Sequence, residues 1–174
     1  MLKRLFRPRV SEPVGDRLYA AAVTQARRPV FYTDLGAPDQ IDARFELYTI
    51  HVLLLVLRLR DEGEEGAEDA QRLFDTYVSA LDNALRELGV GDLSVAKKMR
   101  RLGEALYGRM AAYEAALKAE DTQALTEALA RNVYGEEAVP SRADRLSAYV
   151  LSARSALAAQ SYPVVTASPE WPNP

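Results

Sequence analysis

His51 is the only imidazole in a chain of 174 residues that contains no cysteine. Alone in an apolar stretch, it has three possible uses: a haem ligand, a proton carrier, or a core residue hydrogen-bonded to backbone. No second histidine, cysteine or carboxylate motif stands beside it, so the core role is expected. Lack of cysteine removes disulfides, iron–sulfur clusters, thiolate zinc sites and thiol nucleophiles together. A single histidine removes most imidazole-based metal sites. The chemistry left to an enzyme would use only carboxylates and tyrosines, and that needs two carboxylates facing each other in a pocket.

Other candidates have plainer readings. Asp61-Glu62-Gly63-Glu64-Glu65-Gly66 superficially resembles a cation loop. It lacks the alternating acids that surround calcium, so a solvated acidic loop is expected. Gly103 and Gly108 interrupt a helical stretch. A phosphate loop would need a strand before them and Lys-Ser/Thr after them, so close helix–helix approach is expected instead. No catalytic residue, metal site or cofactor is assigned.

Basic clusters carry the functional expectation. Lys97, Lys98, Arg100 and Arg101 follow a Gly89-Val90-Gly91-Asp92 turn and occupy the first turns of a helix. The helix dipole favours acids there, so local stability does not explain the bases. An anionic partner surface does: phospholipid, RNA or an acidic protein loop. Tyr107 and Tyr113 on the same helix are expected to extend the patch. Near the N-terminus, Lys3, Arg4, Arg7 and Arg9 alternate with Leu2, Leu5 and Phe6. That mixture suits weak contact with an anionic membrane, each base contributing about 1 kcal/mol.

The elements that must position these residues are helical throughout. Val14, Leu18, Ala22 and Ala26 define a first helix, stopped at Arg28-Pro29. Val30 to Pro38 is a short connection. Asp39 or Asp42 is expected to cap the next helix, which runs to about Arg60 and is apolar all round, as a bundle centre is. A third helix with Leu73, Phe74, Tyr77, Leu81 and Leu88 ends at Gly89. A fourth, capped by Asp92 or Ser94, carries Val95, Met99, Leu102, Leu106, Met110, Tyr113 and Leu117. A fifth starts near Asp121 and ends at Gly135. Ser141-Arg142-Ala143-Asp144 resembles a capping box for a sixth. Pro163, Pro169, Pro172 and Pro174 are expected to forbid regular structure after Ser161. The fold class is therefore all-α, a single-domain bundle of about six helices with a buried central helix. Its parts are a basic tail over 1–12, a helical domain over 13–160 and a Pro-rich tail over 161–174.

Lys plus Arg total 22 against 25 acids, a net charge of −3, so general duplex binding and specific DNA recognition are not expected. No signal peptide and no apolar run of spanning length is present, which points to a cytoplasmic protein, peripheral at the inner face of the cytoplasmic membrane.

Several short runs resemble one family in their order. They are Phe31-Tyr32-Thr33-Asp34-Leu35-Gly36-Ala37-Pro38-Asp39, Arg44-Phe45-Glu46-Leu47 with His51-Val52, and Gly89-Val90-Gly91-Asp92-Leu93-Ser94-Val95 with Lys97-Lys98-Met99. Tyr107-Gly108-Arg109 and Arg131-Asn132-Val133-Tyr134-Gly135 follow. The set is similar to the ubiquinol–cytochrome c chaperones, assembly factors of respiratory complex III. The resemblance implies an all-helical protein that is not an enzyme. It implies binding of newly made cytochrome b, or its nascent chain, during maturation of complex III. Mitochondrial members work beside the ribosome with a small partner protein. This sequence shows no mitochondrial targeting extension and so resembles a bacterial member, for which neither the ribosome contact nor the small partner follows. The alternative is a helical adaptor for another soluble protein, with no membrane role.

Overall fold

The computed structural model describes residues 13–87, 92–135 and 138–174; within helices, the side chains of residue 85 and residues 92–102 fall outside the description. Among the described residues there is no strand. The helices are α1 (Val14–Ala26), α2 (Val30–Thr33), α3 (Ile41–Arg60), α4 (Glu64–Glu87), α5 (Asp92–Lys118), α6 (Thr122–Leu129), α7 (Pro140–Ala158) and α8 (Tyr162–Ala167), with a π-helical turn over Ala130–Tyr134 after α6. Six of the eight have eight or more residues, so the expected six-helix bundle is observed.

The centre is α3, and its sequence explains why. Apolar residues on every face leave no side fit for water. Fourteen of its twenty residues are buried, including the whole run Thr49–Leu59. It packs against α1, α4, α5, α7 and the π turn. Arg58 lies inside as well, at 5% exposure. Its Nε donates to the Leu157 carbonyl at 3.0 Å and its Nη2 to the Gln160 carbonyl at 2.7 Å and to Glu62 at 2.6 Å. A buried guanidinium thus adds donors to carbonyls at and just beyond the end of α7, where Leu157 also accepts from the Gln160 amide at 3.2 Å.

Several expectations are corrected. The acidic stretch is not all loop: α4 begins at Glu64, which places Glu64 and Glu65 in its first turn, where the dipole favours them. The α3 N-cap is Gln40 without a side-chain bond; Asp42 lies in the first turn and Asp39 accepts from Arg44 Nε at 2.6 Å. No capping box opens α7, whose first residue is Pro140, a position where the missing N–H is harmless. The connection after α1 holds the one-turn α2, with Phe31 and Leu35 buried. Proline also does not abolish structure after Ser161. Pro163 sits in the first turn of α8, and Val165 is fully buried against the bundle. Asp121 does cap α6, accepting from the Ala124 amide at 2.9 Å. The expected caps of α5 and the helix end at Gly89 lie outside the described residues.

Close approach occurs at other glycines than expected. A Cβ on Gly103 or Gly108 would meet nothing within 4 Å. A Cβ on Gly15 would stand 2.6 Å from the Arg72 carbonyl, so this glycine sets how closely α1 lies on α4. Gly66 is likewise pressed on the Leu59 carbonyl, which closes the α3–α4 hairpin. Among the described residues no helix is long and apolar enough to cross a membrane.

Candidate functional site

Besides Thr49 and Arg58, two buried polar groups interrupt the apolar surface of α3. Glu46 lies near its start and His51 at its middle, with 1% and 0% exposure.

His51 sits in a closed network. Nδ1 is 2.7 Å from the Leu47 carbonyl, which can only accept, so Nδ1 carries the proton. Nε2 then accepts from the Tyr149 hydroxyl at 2.8 Å, and that hydroxyl accepts from Gln25 Nε2 at 3.0 Å. The second nitrogen is therefore held by a core tyrosine. Phe31 and Trp171 meet the imidazole edge-on, with ring centroids at 5.3 and 5.1 Å. Burial lowers the His51 pKa to about 4, so the ring is neutral.

Glu46 has an open counterpart. Arg109 and Tyr113, one turn apart on α5, face it. The Tyr113 hydroxyl donates to Glu46 Oε2 at 3.2 Å and accepts from Asn132 Nδ2 at 2.9 Å. Arg109 Nε approaches Glu46 Oε1 to 2.8 Å, yet that oxygen accepts no hydrogen bond, because the N–H is not aimed along the contact. The Arg109 guanidinium also lies 5.5 Å from the Phe45 ring centroid. Burial pushes the Glu46 carboxyl up to about 7, opposed by the Arg109 charge and the Tyr113 hydrogen bond.

Above this group opens a cleft of about 530 Å³, lined by Asp42 and Ala43 of α3, Arg109 of α5, and Arg131, Asn132 and Tyr134 of the π turn. The π turn builds this wall. Its C-cap, Gly135, has φ +58°, which glycine adopts without strain. Inside it, Asn132 reaches Tyr113, and the Tyr134 hydroxyl donates to the Leu35 carbonyl at 2.9 Å, while Arg131 stays exposed. Single π turns are frequent at functional sites. Four of the runs singled out in the sequence supply this region: Pro38, the Arg44–Leu47 run, Arg109, and Arg131 to Gly135.

The sequence-derived candidates are distributed differently. Lys97, Lys98, Arg100 and Arg101 belong to α5, but their side chains lie outside the description, as do Lys3, Arg4, Arg7 and Arg9 altogether. Tyr107 is 64% exposed, its ring 5.6 Å from that of Phe74 on a shallow groove between α3, α4 and α5. Tyr113 is 1% exposed and does not extend a surface patch. Six residues at 100° each put the two tyrosines on different sides of α5. Glu46 and Asn132 were not expected as site residues. A carboxylate between Phe45 and Leu47 in a helix apolar all round was the available signal.

The described residues form a helical bundle around one buried helix with a polar cleft beside it, and no group of three or more His, Asp or Glu among them is placed to hold a metal ion. The chain belongs to the ubiquinol-cytochrome C chaperone family, whose profile matches residues 33–171. Its fold is similar to the crystal structure of the Cbp3 homolog from Brucella abortus, with a TM-score of 0.83 and 35% identity, covering 92% of this chain and 89% of that one. It is also 22% identical over 121 residues to ubiquinol-cytochrome-c reductase complex assembly factor 1 of Xenopus laevis. That match covers 70% of this chain and 60% of the relative's length.

Proposed function

We propose that this protein is an assembly chaperone for respiratory complex III that binds newly made cytochrome b and acts by holding it rather than by catalysis. The observation that carries the reading is family membership across residues 33–171, with four of the family-like runs meeting around one cleft. A client of many apolar helices needs a partner that offers both apolar surface and polar groups for its connecting loops. Exposed Tyr107 over Phe74 supplies the first, and the Arg109–Arg131 cleft the second. In this reading Lys97, Lys98, Arg100 and Arg101 dock the chaperone on its partner or membrane. Lys3, Arg4, Arg7 and Arg9 add a weak hold on anionic lipid at the inner face of the cytoplasmic membrane.

Affinity capture of the tagged protein from native membranes tests it. Cytochrome b is expected in the eluate, and a deletion strain is expected to lose assembled complex III while other respiratory complexes stay near normal. Normal b-type haem spectra in that strain, or capture of a soluble partner without cytochrome b, would favour the adaptor reading instead.

A further inference from the structure

We propose that Arg109 and Arg131 form a carboxylate-recognition site in the cleft, which receives one acidic side chain of a partner polypeptide. The proposal rests on the reading that this cleft receives the client, and it adds the chemistry that would be recognised.

The geometry begins with Glu46. A carboxylate buried to 1% exposure, with one oxygen lacking a hydrogen bond, is poor value for stability, since an apolar residue of similar volume commonly does as well or better. Its effect on Arg109 is specific. It holds the guanidinium at the Nε edge, while the ring of Phe45 flanks the group. Neither terminal nitrogen of Arg109 has a hydrogen-bond partner among the described residues, and the side chain is 33% exposed where it lines the cleft. A guanidinium held at one edge presents the two-pronged donor geometry that fits a carboxylate or phosphate. Arg131 enters the same cleft from the π turn, and no described hydrogen bond or ion pair engages it. Asn132, tied to Tyr113 through Nδ2, keeps its Oδ1 for a neighbouring amide.

The charge pattern selects a polypeptide over a membrane. Asp42 lines the cleft together with the two arginines, and Glu46 lies behind Arg109. A continuous anionic bilayer would meet Asp42 as well as the arginines, and its flat surface does not enter a concave cleft. A peptide can place one carboxylate between the arginines and a neutral or basic residue beside Asp42. Ile41, 71% exposed next to Asp42, offers an apolar contact at the edge.

The test is a nuclear magnetic resonance titration of the full chain, labelled with nitrogen-15, using Ac-Ala-Leu-Glu-Leu-Ala-NH2 and its Gln twin. The Glu peptide is expected to shift the Arg109 Nε and Asn132 resonances and to bind about ten-fold tighter than the Gln twin, as a charge-assisted pair would. Arg131→Gln, an exposed change, should remove most of that preference without altering the fold. Because Arg109→Gln leaves Glu46 alone in the core, the double variant Glu46→Gln/Arg109→Gln serves beside it and should also lose the preference. Equal response to both peptides, or an undiminished preference in Arg131→Gln, overturns the proposal. So does a silent Glu peptide when vesicles of phosphatidylglycerol shift the same resonances. Cytochrome b capture without peptide discrimination would leave the chaperone reading standing and remove only this site; discrimination without capture would do the reverse.

Discussion

Glu46 and His51 stand five residues apart on one helix, are almost equally hidden, and live in opposite circumstances. The His51 network is complete: both ring nitrogens are bonded, the tyrosine that bonds one is itself bonded, and aromatic rings cover the rest. The Glu46 network is incomplete: one oxygen has no hydrogen bond, and its cation opens onto a cleft. A buried polar group whose needs are met within the core serves packing. One left short beside a cavity, at the junction of three elements, is arranged for something that arrives from outside. Burial alone does not separate the two cases; the hydrogen-bond count does.

The largest effect should come from breaking the closed network. His51→Ala removes two hydrogen bonds and the centre of an aromatic cluster, and is expected to cost about 3–4 kcal/mol in urea unfolding. His51→Gln, which can keep one of the bonds, should cost less and retain most function. Glu46→Gln should change stability at pH 8 by less than about 1 kcal/mol or raise it, because it removes a buried charge. Comparable losses in His51→Ala and Glu46→Gln would erase the distinction drawn between the two groups.

The next effect is a pair of pH profiles with opposite slopes. His51 has a folded pKa of about 4 against an ordinary 6.5. Between those values the unfolded chain binds more protons, so its contribution is present above pH 6.5 and lost as pH falls towards 4. Glu46 is raised to about 7 from 4.5, so the folded chain binds more protons in that window. Its contribution is fully present below pH 4.5 and lost as pH rises through 7. From pH 4.5 to 6.5 the two oppose each other, each with roughly 3 kcal/mol at stake across its whole window. Glu46→Gln should unmask stability that climbs with pH from 4 to 6.5. His51→Gln should unmask stability that falls from 4.5 to 7. Parallel unfolding series at fixed pH check both, and a variant profile superimposable on the parent's would contradict the assigned environment.

Smaller still in stability, though not in function, is reversal of Lys97, Lys98, Arg100 and Arg101 to Glu. If the four side chains form the surface patch proposed for them, circular dichroism and melting temperature should stay close to the parent, since exposed substitutions usually cost less than about 0.5 kcal/mol each. Rescue of a deletion strain should fail. A folded variant that rescues fully would confine partner docking to the cleft. The weakest effect belongs to the N-terminal residues. A chain starting at Ser11 should float less with anionic liposomes, and the difference should vanish as salt shortens the screening length below about 8 Å. Equal flotation of the two chains would show that the anchor lies elsewhere.

Much was legible in the sequence because it is local physics. Helical spacing placed the six long helices, and an all-round apolar helix had to be central, since no face of it suits water. A lone imidazole between Ile50 and Val52, without a second ligand type nearby, belonged to the core. Asp121 capped where an acid before a helix should. Other features depend on which faces meet. Both tyrosines were expected on one patch, although their six-residue spacing sets them on different sides of α5; the packing of α5 on α3 put the Tyr113 side inside and the Tyr107 side out. The sequence marked Gly103 and Gly108 as contacts, yet close approach falls at Gly15 and Gly66, where α1 and α3 press on α4. Prolines after Ser161 read as breakers, but Pro163 begins a helix that buried Val165 pins to α1.

The sequence by itself thus determined the six long helices, the central position of α3 and the neutral packing role of His51, because each follows from periodicity, burial and desolvation along one segment. Only the tertiary structure decided the cleft. Glu46, Arg109 and Arg131 are far apart in the chain, and no short-range pattern encodes their meeting. It arises because α5 and the π turn both pack on α3, and because the π turn sets Asn132 on Tyr113 while Arg131 is left exposed to the cleft.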